Sequence, residues 1–125
     1  MKTSERVLQF LKEQGFCPKV DADGDIIFKC QMRTFLFKNH DEDEEYFQLA
    51  LPGIYDVTED NRDVVLEATN RVTSMMKVAK TIVTNDSVWV LFEILLDSTP
   101  EVSDIIPRAL AILVDAQEEF YKQIR

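Results

Sequence analysis

The chain is poor in the residues that most often carry chemistry. Its 125 residues include three glycines, two cysteines and one histidine. The glycines, at 15, 24 and 53, stand too far apart to write a phosphate-cradling loop. Cys17 and Cys30 lack the CxxC spacing of a zinc or redox site, and His40 adds only a third isolated ligand. A lone histidine needs a nucleophile and an orienting partner to do base catalysis. No serine or cysteine motif supplies them, so no catalytic residue, metal site or cofactor is expected. Basic runs are also absent. Lys and Arg total 14 against 23 Asp and Glu, a net charge of −9. Nucleic acids and anionic membrane surfaces both select for clustered cations, so neither is an expected partner. The charge suits a basic protein partner. Long apolar runs are missing too. Val88–Leu96 is interrupted by Glu93 and is far too short to span a bilayer. The first fifteen residues contain no apolar core of a signal peptide, so a cytoplasmic protein with reduced thiols is expected.

What is present is enough for one domain over residues 1–125. Hydrophobic residues make up 46% and charged residues 30%, a globular balance. Val7, Leu8 and Leu11 lie at helical spacing within residues 4–14, after a cap at Thr3 or Ser4 and before Gly15. Four short strands follow, at Phe16–Asp21, Asp25–Cys30, Arg33–Asn39 and Glu45–Leu51. Pro52-Gly53 ends the last of them. Residues 60–80 form a second helix, capped by Thr58 or Asp60, with Val65, Ala68, Val72, Met75 and Ala79 as its apolar stripe. Two strands, Thr81–Thr84 and Val88–Leu96, are joined across Asn85-Asp86-Ser87. The last helix starts near Thr99-Pro100, with Leu110, Leu113, Val114, Gln117, Phe120 and Ile124 as its stripe. Pro107 should kink or restart it. The order α-β-β-β-β-α-β-β-α predicts an α+β fold: an antiparallel sheet, made of a four-stranded meander and a two-strand hairpin, packed with three helices.

Strand register decides the faces, because a one-residue slip turns every side chain over. A two-residue turn at Asp23-Gly24 would set Cys17 opposite Cys30. A three-residue loop with Gly24 left-handed pairs Val20 with Ile26 instead and collects apolar residues on one face, so it is preferred. A tight turn at Gln31-Met32 then pairs Phe28 with Phe35. Pairing Phe37 with Phe47 and Val90 with Ile82 completes a buried face of Ile26, Phe28, Phe35, Phe37, Phe47, Leu49, Ile82, Val90 and Phe92. The other face holds Ile27, Leu36, Tyr46, Gln48, Trp89 and Leu91 among Lys29, Lys38, Val83 and Glu93. That mixture is too apolar for plain solvated surface, and these first six are the candidate partner-binding residues. The occupant would be a client protein or a second subunit in a homodimer.

Three polar features read as structure. Asp21, Asp23 and Asp25 alternate as in a calcium loop, but Ile26 and Met32 stand where such a loop needs Gly and Glu. A hairpin turn is the better reading. The run Asp41–Glu45 is a solvated acidic loop. Met75 fills core, and Met76 is left open.

The run Asp23-Gly24-Asp25-Ile26-Ile27-Phe28-Lys29, the Phe-rich strand after it, and Tyr46-Phe47-Gln48-Leu49-Ala50-Leu51-Pro52 resemble the YbjN-like bacterial proteins. So do Asn70, Lys77-Val78-Ala79-Lys80 and Val88 to Glu93. The resemblance covers nearly the whole chain and implies a type III secretion chaperone-like fold. It implies a non-enzymatic role: chaperones of that kind hold segments of a client, and YbjN-like proteins are described as sensory transduction regulators. It brings no catalytic residues. Gln31-Met32 departs from the Gly-containing turn common there. The alternative function is a small-ligand sensor with a pocket between sheet and helices.

Overall fold

The computed structural model describes residues 1–125 as three helices on one side of a six-stranded antiparallel sheet. The elements are α1 (Thr3–Glu13), β1 (Lys19–Val20), β2 (Ile26–Cys30), β3 (Arg33–Phe37), β4 (Tyr46–Asp56), α2 (Arg62–Met75), β5 (Ala79–Thr84), β6 (Ser87–Leu95) and α3 (Val102–Ile124). This is the expected α+β order. The sheet runs β1-β2-β3-β4-β6-β5, so α2 carries the chain past the place of β6 to the far edge. The meander and the hairpin join through β4 and β6.

Local chemistry explains most boundaries. Gly15 (φ +79) ends α1 in a Schellman motif: the Phe16 N–H donates to the Leu11 carbonyl and the Gly15 N–H to that of Lys12, both at 3.1 Å. The first hairpin adopts the three-residue loop, with Val20 opposite Ile26 and Gly24 left-handed (φ +83). A Cβ at Gly24 would also strike the side chain of Asn39. β1 is only two residues long, because Cys17 is left-handed (φ 50) and Pro18 has no N–H to give a ladder. Cys17 and Cys30 are both free thiols. Gln31-Met32 makes the tight β2–β3 turn without glycine, at φ 52 and 65, as a two-residue hairpin of this hand demands.

Five expectations are corrected. Pro52-Gly53 does not end β4, which runs to Asp56 through an irregularity between Leu51 and Tyr55 with Gly53 left-handed (φ +64). Phe37 pairs with Leu49, not Phe47. That two-residue slip keeps the faces, and the Phe37 and Phe47 rings still meet at 5.4 Å. The β5–β6 turn is two residues, Asn85-Asp86, both left-handed, so Thr81 faces Val90 and Ile82 faces Trp89. This one-residue slip moves Ile82 out of the buried face and Val83 into it. Helix α2 stops at Met75, which is 57% exposed, while Met76 packs on the core and Ala79 is buried in β5. Finally, α3 is one helix that includes Pro107; the proline lies in its second turn and removes a single donor.

The core lies between the helices and one sheet face. Ile26, Phe28, Phe35, Phe37, Phe47, Leu49, Val90 and Phe92 are buried there, as expected of them. Helix α1 contributes Val7 and Leu11, and α2 contributes Val65, Ala68 and Val72. The α3 stripe is Val102, Ile106, Ala109, Leu113, Ala116 and Phe120. Two alanines sit at its centre, which lets the helix lie close to the sheet. Every buried side-chain nitrogen and oxygen has a hydrogen-bond partner.

Candidate functional site

Every helix packs against the same sheet face, so the opposite face has no cover from this chain. The registers lay out its side chains in rows across the strands. One row reads Lys19, Ile27, Leu36, Ala50, Leu91 and Lys80, from edge to edge. Trp89 and Ile82 form the next row on the β6–β5 side, with Lys29 and Thr34 on the β2–β3 side. Towards the other end lie Gln48 opposite Glu93 and Tyr46 opposite Leu95. The six candidate residues Ile27, Leu36, Tyr46, Gln48, Trp89 and Leu91 therefore share this face. They do not share a role. Ile27 is 37% exposed and Leu36, Tyr46, Gln48 and Trp89 are half-buried, whereas Leu91 is only 8% exposed beneath its neighbours. Leu91 supports the surface and offers it little contact area. Leu95, at 80%, is the face's most exposed apolar side chain and was not among the candidates. Ile82 was missed as well, through the slip in the β5–β6 turn.

Polar groups hold the face in shape. The Trp89 indole N–H donates to Ser87 Oγ at 3.1 Å, and Ser87 Oγ donates to the Thr84 carbonyl. That fixes the indole across the strand end. His40 lies on the rim, its Nε2 2.9 Å from Gln48 Oε1 and its ring edge-on to Tyr46 at 4.7 Å between centroids. Its Nδ1 is 3.5 Å from Glu42 Oε1. This geometry uses the imidazole as a strut for Gln48 and Tyr46, with no nucleophile in the constellation.

The acidic run at 41–45 is tied down. Thr3 Oγ1 donates to the Glu44 carbonyl at 2.6 Å, Ser4 Oγ donates to Asp41 Oδ1 at 2.8 Å, and Lys2 Nζ lies 3.7 Å from Asp41. The two hydroxyls expected to cap α1 are spent on this anchor, and α1 begins without a side-chain cap. The Leu96 N–H donates to the Glu45 carbonyl at 2.6 Å from the other side.

Asp21, Asp23 and Asp25 converge, with carboxylate oxygens within 4.8 Å of one another. Asp21 and Asp25 spend acceptors on the turn itself. Asp21 Oδ1 takes the N–H groups of Asp23 and Asp25, and Asp25 Oδ1 takes that of Asn39 at 2.8 Å. Lys38 Nζ supplies the cation, 3.2 Å from Asp25 Oδ2. The hydrogen bond and charge of Asp25, helped by Asp23 and Asp21, hold the Lys38 ammonium above its usual 10.5. The turn thus carries its own counter-ion.

The two sheet edges differ from the face. β1 is two residues long. On β5, Thr73 of α2 reaches the edge: its Oγ1 accepts the Thr81 N–H at 2.9 Å and donates towards the Thr81 carbonyl at 3.3 Å. Thr81 Oγ1 in turn donates to the Thr69 carbonyl. A helix hydroxyl so occupies the backbone groups of Thr81, one of the outward-facing positions an added strand would use.

Between β6 and α3 an open cavity of about 260 Å³ is lined by Val78, Phe92, Ile94, Ile105 and Ile112, together with Asp104 and Arg108. No family model matches the chain, and no curated protein matches it. No helix is long and apolar enough to cross a membrane.

Proposed function

We propose that this is a non-enzymatic protein-binding module, chaperone-like or regulatory, of the bacterial cytoplasm, and that it docks its partner on the uncovered sheet face. One observation carries the reading: a face with Trp89, Leu36, Ile27 and Tyr46 at its surface is left without any helix of its own chain. Aromatic and aliphatic groups framed by polar ones are the composition of a docking surface. The resemblance to YbjN-like proteins and to type III secretion chaperones points the same way, as does a histidine engaged in bracing Gln48.

The test is a selection from displayed random 20-residue peptides, with binding measured by titration calorimetry. Selected peptides should lose at least tenfold in affinity to a Leu36→Ser/Trp89→Ala variant and be indifferent to Val64→Ser on the exposed side of α2. The reverse pattern would move the site to the helix layer and overturn the reading.

The second reading, a small-ligand sensor, has one observation in its favour, the apolar cavity between β6 and α3. Its open mouth and modest size make it the weaker of the two.

A further inference from the structure

The chain is strongly acidic, yet its uncovered face is not. Four lysines, at 19, 29, 38 and 80, share that face with Asp25 and Glu93. Lys38 is paired to Asp25 and Lys80 to Glu93, at 3.2 and 2.6 Å. Lys19 and Lys29 form no ion pair, and both are exposed on the β1–β2 side. Asp21, opposite Asp25, and Asp56, opposite Ser87, add two carboxylates at the strand ends, so the face sums to neutral on a chain that is nine negative. The expectation of a basic partner came from the total charge; at the docking surface the unpaired charges beside Ile27 are the two lysines Lys19 and Lys29.

Backbone chemistry restricts the partner's conformation. Within a sheet the N–H and C=O groups are consumed by the ladders, so a segment lying on the face receives no backbone hydrogen bonds from it. An extended segment would have to add at an edge, but the β5 edge is interrupted in its middle, at Thr81, by Thr73, and β1 is two residues long. A segment on the face must satisfy its own backbone, and a helix does this. The row from Lys19 to Lys80 crosses five inter-strand gaps, about 24 Å, which a helix of about 16 residues spans. A second copy of the chain is a poor occupant. Its three helices have their apolar stripes buried, and it would bring the same net −9.

We infer that the partner presents an amphipathic helix whose apolar stripe covers the Ile27–Leu36–Trp89 surface and whose acidic end lies over Lys19 and Lys29. The inference rests on the docking-face reading above and gives that reading a partner chemistry.

The probe is a synthetic 16-residue helical peptide with a leucine stripe and three Glu at one end. It is compared with the same peptide carrying Lys in place of Glu. The chain has one tryptophan, and it lies on the face, so Trp89 emission reports occupancy when the peptides contain none. The Glu peptide should bind at least tenfold tighter than the Lys peptide at low salt, with the gap narrowing as salt is raised. A Lys19→Glu/Lys29→Glu variant should reverse the order; both positions are exposed, and a melt verifies its fold. Equal or tighter binding of the Lys peptide, with Trp89 still responding, overturns the acidic partner and leaves the docking face intact. Neither peptide moving Trp89 emission, while selected peptides bind the helix layer, overturns both. Self-association that buries Trp89 as protein concentration rises would make a second copy the occupant and also overturn the inference.

Discussion

Replacing Phe47 by alanine is expected to cost about 3–5 kcal/mol, the range for deleting a buried aromatic ring whose surroundings cannot collapse. Phe47 is fully buried, with the ring of Phe37 at 5.4 Å and that of Phe92 edge-on at 6.0 Å. These rings come from β3, β4 and β6, three adjacent interior strands, so no single loop can move to fill the gap. Denaturant unfolding measures the loss directly, and the melting temperature should fall by at least about 10 °C. Phe47→Leu should recover most of it, because the volume is largely kept. A loss below about 1.5 kcal/mol for the alanine variant would mean that the core is looser than its ring geometry requires.

Asp25→Ala is the second large effect, expected at about 2–3 kcal/mol, since it strands a backbone donor and removes a charged acceptor. Asp25 is 5% exposed and joins two segments: its own hairpin turn and Lys38-Asn39, where the β3–β4 connection leaves the sheet. Asp25→Asn keeps an oxygen for Asn39 and should cost clearly less. The pair with Lys38 adds a pH signature. The folded ammonium is held above its usual 10.5, so its contribution is complete below the ordinary lysine range and is lost as pH rises through the raised value. Lys38 is nearly half exposed, so the contribution is small, and it appears as a steeper alkaline fall in the wild type than in Asp25→Asn. Parallel alkaline limbs for the two proteins would remove the pair from the account.

Much of the fold is legible in the residues. The left-handed Gly24 and the alternation of Ile26, Phe28, Phe35 and Phe37 determine the first three strands and their faces. The element order follows from the turns, and the buried face was right in eight of its nine members, with Ile82 the exception. What failed has identifiable physical causes. Asn85 and Asp86 both adopt left-handed backbone, which shortens the turn by one residue and turns β5 over; asparagine and aspartate are suited to that conformation, and the signal was present. Pro52-Gly53 looks like an end because proline and glycine usually are one. In β4 the pair sits where the β3–β4 ladder stops, and the strand continues on its β6 side. The α3 stripe was drawn one position off in part: Leu110 and Val114 are half-buried, and the smaller Ala109 and Ala116 are fully buried beneath the helix.

The candidate face was assembled from the right residues for an incomplete reason. Spacing placed Trp89, Leu36 and Ile27 together, but spacing cannot reveal whether a helix lies over them. Nor could it separate Leu91, which is buried by its neighbours, from Leu95, which is not. The charge of the face was illegible because it depends on which lysines the strands gather. Lys19 and Lys80 are far apart in the chain and stand at the two ends of one row. Thr3 and Ser4 were misassigned for a related reason: a hydroxyl before a helix has two competing uses, and only the position of the acidic loop selects between them.

The ladder between β3 and β4 is short. Leu36 faces Ala50 and Phe37 faces Leu49; the Lys38 N–H donates to the Gln48 carbonyl at 3.1 Å at one end, and at the other Pro52 has no N–H to continue the ladder. The ladder between β4 and β6 holds eight facing pairs. A single sheet surface therefore has an internal weak line, with β1, β2 and β3 on one side of it. Arg33 Nε, bonded to Gln117 Oε1 at 2.6 Å, ties the far end of β3 to α3, and the Tyr121 hydroxyl ties the freed Ile54 carbonyl to the same helix at 2.8 Å. Opening along this line, at the middle of the sheet, costs few backbone hydrogen bonds compared with parting β4 from β6. Amide exchange should accordingly be faster in β2 and β3 than in the paired amides of β4 and β6. The row of side chains proposed to receive a partner crosses that line between Leu36 and Ala50. An occupant of the face would span both parts and slow exchange on the β2–β3 side most.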